Sequence, residues 1–165
     1  MRKLDSDGLL MCEIQGRIFE KSINKLDCSS PIFIKNYMQS EIARSMDIEA
    51  FLNTNISEDK VLYGMRDLTY GTSKYNNEDM YAIGHMYRYI SYVYEIDSKK
   101  LYKLLPSSIL KKYSNTWSFE GPEKVIYEIK KYHHIDLDKN DDLLTSTKLN
   151  ISNALKSYVF KPNMY

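Results

Sequence analysis

The chain has 165 residues, 27% of them charged, with a formal net charge of +1. That length can bury one sizeable core, one domain plus an appendage, and the charge balance excludes the global field of a nucleic-acid binder or membrane-surface protein. Fifteen tyrosines stand against five phenylalanines and one tryptophan. Codon usage explains the larger part of that bias, since Lys, Ile and Asn are also abundant. Interface use explains the rest, because Tyr gives contact area at low entropic cost.

The N-terminal MRKLDSDGLL has no long apolar run, so no signal peptide is expected, and no stretch approaches transmembrane length. Cys12 and Cys28 make no metal motif and read as reduced, partly buried thiols of a cytoplasmic protein. Ser6 or Asp7 caps a first helix to about Lys25, with Leu9, Leu10, Ile14, Ile18, Phe19 and Ile23 as its apolar stripe. A turn at Cys28–Pro31 leads into a second helix from Ile32 to about Met46, which buries Ile32, Phe33, Ile34, Tyr37, Met38 and Ile42. Asp47 to Ser57 is a short helical turn or a connection, and Ser57 opens a short segment through Met65.

The stretch YGTSKYNNEDMYAIGHMYRYISYVYEI, Tyr70 to Ile96, is the one around which the chain is organised. Asn76 and Asn77 offer a helix N-cap, and Glu78 and Asp79 suit the positive end of the helix dipole. Met80, Ile83, Met86, Tyr87, Ile90, Val93 and Tyr94 fall on one side. Tyr81, Gly84, His85, Arg88, Tyr92 and Glu95 fall on the other, which is too aromatic for a plain solvent face. Glycine inside a helix costs ~1 kcal/mol relative to alanine, so Gly84 implies a close neighbour. The helix is expected to be buried on two sides.

Asp97 or Ser98 caps a short helix from Lys99 to about Leu105, broken by Pro106. Ser107 to Tyr113 restarts for a turn or two, and Ser114 to Gly121 is expected as a loop around the only tryptophan. Pro122 begins an amphipathic helix with Val125, Ile126 and Ile129 inward, ending near His134 or Ile135. Every strong periodic segment is helical and no hairpin is evident. The expected fold is therefore all-α, a compact multi-helix bundle over residues 1–135 around the Tyr-rich helix. Residues 136–165 are expected to form a polar linker, DLDKNDD, and a C-terminal amphipathic helix from Leu143 to about Phe160.

Chemistry-bearing motifs are few: no P-loop, GxSxG, HExxH or CxxC occurs. His133, His134 and Asp136 read as a positively biased helix C-terminus rather than a metal site, and no cofactor is expected. Gly71, Thr72, Ser73 and Lys74 could hold a phosphate on backbone amides, or simply form the entry to the Asn76-capped helix. His85, with Tyr81 and Arg88 one turn to either side, could line an anion or nucleotide pocket. The plainer reading has Arg88 bonding backbone carbonyls or Glu95 and holding two helices together.

The stretch from Tyr70 to Lys103 resembles a family of small bacterial proteins. Its members carry Tyr-Gly-Ser-x-Lys-Tyr, then Tyr-x-Ile-Gly-x-x-Tyr-Arg-Tyr, then Ser-Ser-Lys-x-x-Tyr-Lys. This chain has Thr72 in place of the first serine and Asp97-Ser98-Lys99-Lys100 at the later ones. By layout the resemblance runs from about Ile14 to His134, and it says little about residues 136–165. The family is found as the antitoxin component beside small toxin genes, including genes resembling ADP-ribosyltransferases.

That resemblance implies a non-enzymatic antitoxin that silences a protein toxin by steric occlusion, with the toxin, or a second copy of the chain, as partner. The candidate binding residues are Tyr70, Ser73, Lys74, Tyr75, Tyr81, His85, Arg88 and Tyr92. A second reading is a nucleotide- or nucleic-acid-binding protein stacking on the Tyr81, His85, Arg88 and Tyr92 face. A third, an enzyme that reverses a toxin's modification, has only His85, Glu78 and Asp79 to work with. No helix-turn-helix or basic stripe supports operator binding.

Overall fold

The computed structural model describes residues 1–138, which form eight α-helices and one 3-10 turn and, among them, no strand. The helices are α1 (Ser6–Lys25), α2 (Ser30–Met38), α3 (Glu41–Asp47), α4 (Glu58–Gly64), α5 (Asn77–Tyr94), α6 (Ser98–Leu104), α7 (Ser107–Glu120) and α8 (Pro122–His133). The 3-10 turn, Phe51–Asn53, lies between α3 and α4. The all-α fold expected from periodicity is the one observed.

Short polar side chains set most helix starts. Asp5, Ser40, Ser57, Asn76 and Asp97 each accept a hydrogen bond from the backbone N–H three residues on, at 2.7 to 3.2 Å. Each satisfies an amide that the start of a helix leaves without a partner. Ser40 also corrects an expectation: the helix read from Ile32 to Met46 is broken in two. Its hydroxyl donates to the Tyr37 carbonyl at 2.6 Å and accepts from the Ala43 amide, so one side chain closes α2 and opens α3. The break swings α3 against α6 and brings Asp47 to the N-terminus of α6, where it accepts the Ser98 amide at 2.9 Å.

A second correction concerns the only tryptophan. Ser114 to Glu120 is helix, not loop, and continues α7. Ser, Asn and Thr are indifferent helix formers, but tertiary contacts hold them: Ser114 donates to Asp79 of α5, and the Trp117 indole to His85 at 3.3 Å.

The α1–α5 pair runs antiparallel and is spaced by glycine. A Cβ on Gly84 would lie 2.7 Å from the Gln15 carbonyl and 2.8 Å from the Phe19 ring. Tyr81 lies on Gly16 and Tyr92 on Gly8, each ring within 2.8 Å of where a Cβ would stand. The close neighbour implied by Gly84 is thus α1. The glycine face also rotates α1 away from the expected stripe. Leu9 and Leu10 are 44% and 42% exposed, while Gly8, Met11, Cys12, Gln15, Gly16, Ile18 and Phe19 are buried. A period count of apolar residues does not register a face built on absent side chains.

Helix α5 packs on α1, α6 and α7 and buries twelve of its eighteen residues. Behind it, Phe19, Phe33 and Tyr37 stack with ring centroids 5.0 to 5.8 Å apart. Val125, Ile126 and Ile129 of α8 face inward as expected, and packing continues to the buried Leu137, beyond the His134–Ile135 end read from sequence. The tail helix expected from Leu143 to Phe160 lies outside the described residues. No described helix is long and apolar enough to cross a membrane.

Candidate functional site

The eight candidate residues do not form one site. The structure distributes them over three places.

Tyr70, Ser73, Lys74 and Tyr75 belong to a loop strapped over the junction of α1 and α2. The Tyr70 and Ser73 carbonyls accept the Ser29 and Ser30 amides at 2.8 and 3.0 Å, and the Tyr75 amide donates to the Ser30 hydroxyl at 2.9 Å. The strap thereby presents carbonyls to the start of α2, the opposite polarity to a phosphate cradle. The Lys74 ammonium donates to the carbonyls of Ile23 and Leu26, at the end of α1 where the dipole is negative. Gly71 sits at φ 71°, and a Cβ there would stand 2.9 Å from the Ser29 hydroxyl oxygen, so this turn suits glycine alone.

Arg88 is in the interior, 1% exposed. Its Nε donates to the Gln15 side chain at 2.9 Å, and its terminal nitrogens reach Asp47 at 2.8 Å, Ser98 at 2.9 Å, and Ser91 and the Ala43 carbonyl at 3.4 Å. Five N–H groups meet five acceptors on α1, α3, α5 and α6. The pairing carboxylate is Asp47, in a stretch that the sequence left as a turn or connection. Ser98 closes the network by donating both its hydroxyl, at 2.6 Å, and its amide to Asp47. Tyr92, one turn on, is also buried: its hydroxyl donates to Asp5 at 2.7 Å and the Arg2 guanidinium stacks 3.9 Å from its ring. Burial and the Asp5 carboxylate push its pKa up, whereas the Gly8 amide and then this hydroxyl hold Asp5 below the usual carboxylate range.

Tyr81 and His85 are brought together, ring centroids 6.0 Å apart, half-buried on the outer side of α5. Two residues that the sequence reading left aside complete the row. Trp117 lies 5.7 Å from His85, and Tyr89 packs edge-on against Trp117 at 5.2 Å. The spacing Tyr81–His85–Tyr89, four and four, was the available signal for Tyr89. Trp117 was masked by its reading as loop. Because the indole N–H donates to His85 Nδ1, the imidazole is neutral with its proton on Nε2. Burial lowers the His85 pKa, opposed only by the charge of Glu13.

His133 meets the Tyr113 hydroxyl at 3.1 Å, and His134 is the left-handed cap of α8 at φ 52°. Cys12 and Cys28 are free and buried, and desolvation pushes the Cys12 thiol up to about 12. No protein-family model, curated protein or solved structure matches this chain.

Proposed function

We propose that this chain is a non-enzymatic, antitoxin-like protein that binds a cognate protein toxin and silences it by covering its active cleft. The observation that carries this reading is the amount of aromatic surface left open. Phe119 is 87% exposed, and Tyr63, Tyr70, Tyr132 and Tyr127 are between 59% and 66% exposed. Monomeric surfaces leave few large rings in water, whereas interfaces are enriched in them. The resemblance over Tyr70 to Lys103 supports the same reading and names its partner class, a toxin similar to ADP-ribosyltransferases. Within it, α5 is the helix that organises the bundle, and the stretch that follows Asp138 is an added recognition element. The protein acts in a bacterial cytoplasm.

The stacking alternative on Tyr81, His85, Arg88 and Tyr92 draws less support. Two of its four residues are interior, and its only cation has every donor engaged within the fold.

The test is coexpression with the product of the adjacent gene. The reading expects that product to arrest growth alone, to be tolerated beside this chain, and to co-elute with it. A neighbour that is harmless, or that stays toxic and elutes separately, removes the reading.

A further inference from the structure

The Tyr81–His85–Tyr89 row lies along α5, which packs on α1 and α7. Tyr81 rests on Gly16 of α1, and Trp117 of α7 backs the other two rings. Glu13, Gly16 and Glu20 stand at i, i+3 and i+7 on α1, so both carboxylates share the face on which Tyr81 rests. Glu13 acts on both Tyr81 and His85, Glu20 on Tyr81, and Glu123 on Tyr89.

These three carboxylates stand out by their place beside the rings, and like Glu78 and Glu120 they have no ion-pair partner among the described residues. Glu58, Glu41 and Glu128 are all engaged by lysine or arginine. Glu13, Glu20 and Glu123 take part in no ion pair or hydrogen bond among the described residues. Arg17, whose charge also acts on Tyr81, is held by Glu58 at 2.6 Å. A half-buried aromatic row is thus framed by three carboxylates that no lysine or arginine pairs among the described residues, with Arg17 the one cation acting on Tyr81. Ring faces attract cations through their quadrupole, and unpaired carboxylates beside them strengthen that attraction. A phosphate backbone would meet the same three charges as repulsion.

We propose that this row docks an arginine-bearing segment of a protein partner, with guanidinium groups stacked on Tyr81 and Tyr89 and paired with Glu13, Glu20 and Glu123. Arginine fits better than lysine because its planar group stacks and forks at once. The His85 Nε2–H, unpaired among the described residues, donates to a carbonyl of the docked segment. The proposal rests on the protein-binding reading above and names the partner's chemistry.

Trp117 is the chain's only tryptophan and lies beneath the row, so its emission is a local reporter that needs no cognate partner. The full chain is titrated with an oligoarginine peptide, an oligoglutamate of equal length and an oligothymidylate. Oligoarginine is expected to shift Trp117 emission saturably, and the other two to leave it unchanged. The Glu13→Gln, Glu123→Gln double variant should bind about ten-fold more weakly, and Tyr89→Leu should also bind more weakly while melting cooperatively. Glu41→Gln, on α3, should bind as wild type. Equal binding by the double variant, an unmoved Trp117 or an equal response to oligothymidylate overturns the proposal; the last hands the row to nucleic acid. A chain that neutralises its toxin while all these variants neutralise it equally well loses this proposal and keeps the antitoxin reading.

Discussion

The Arg88 guanidinium lies 2.8 Å from the Asp47 carboxylate, 41 positions away in the chain, with 1% and 11% of the two side chains exposed. Around this contact α1, α3, α5 and α6 meet. A buried charge pair is a weak net stabiliser when intact, but removing one partner strands the other in a dry interior.

Arg88→Ala should therefore cost about 3–5 kcal/mol, since Asp47 is left buried beside two serines alone. Asp47→Ala should cost a similar amount. Because both single variants lose one shared contact, the double variant should fall well short of their sum. Urea melts of the three variants check this. Strict additivity would place the stabilisation elsewhere than in the pair.

Two glycine-to-alanine changes should have opposite signs. At Gly84 the new methyl meets the Gln15 carbonyl at 2.7 Å and Phe19 at 2.8 Å, so the α1–α5 contact must open, at about 1–3 kcal/mol. At Gly64, at the end of α4, nothing lies within 4 Å, and alanine should add about 0.5–1 kcal/mol by restricting the unfolded chain. Thermal melts of both variants read the two signs directly.

Acidification should destabilise the fold through His85. Its folded-state pKa lies below the ordinary value because burial disfavours the charged ring. The unfolded chain then takes up the proton first. The contribution is fully present above about pH 6.5 and is lost as pH falls from there through the folded-state value. Protonated Nδ1 also ceases to accept the Trp117 N–H. Trp117 emission should titrate in that window, and His85→Gln should abolish both the titration and this part of the pH dependence. An unchanged pH–melting curve in that variant would assign the effect to other groups.

Lys74→Met should loosen the strap without touching the aromatic row. The ammonium satisfies two carbonyls at the end of α1 from a mostly exposed position, worth about 1 kcal/mol. Hydrogen exchange should quicken at the Ser29, Ser30 and Tyr75 amides while those of α7 stay as before. Uniform quickening would show the strap to be coupled to the whole bundle.

Local signals were legible wherever one stretch of chain decides the outcome. The Asn76 and Asp97 caps, the proline start of α8 and the apolar face of α5 all follow from residues within a few positions of one another. Signals that depend on a distant partner were not. Ser40 sits inside a stretch whose apolar spacing reads as one helix, and only its hydrogen bonds reveal a break. Ser114 to Glu120 has poor helix formers, and α5 makes them helical. Lys74 offered a phosphate ligand and an α1 cap equally well until the Ile23 and Leu26 carbonyls were in view. The Tyr81, His85, Arg88 and Tyr92 face is one face by angle, yet its C-terminal half is buried and its N-terminal half only half-buried, with Tyr81 on Gly16 of α1 and His85 against Trp117 of α7.

The glycine-spaced α1–α5 pair also bears on how the chain comes to be folded. Its contacts join residues far apart in sequence: Gln15 with Gly84 over 69 positions, Gln15 with Arg88 over 73, Asp5 with Tyr92 over 87. Loop closure on that scale must precede the reward of docking, so folding should be slow for a helical protein. During synthesis α1 emerges before α5, and this mate follows only after α2, α3 and α4 have left the ribosome. Until then Phe19 can pack on Phe33 and Tyr37 of α2, but the positions at Gly8 and Gly16 lack the Tyr92 and Tyr81 rings that cover them, so the N-terminal half is an incomplete intermediate of the kind prone to misassociation.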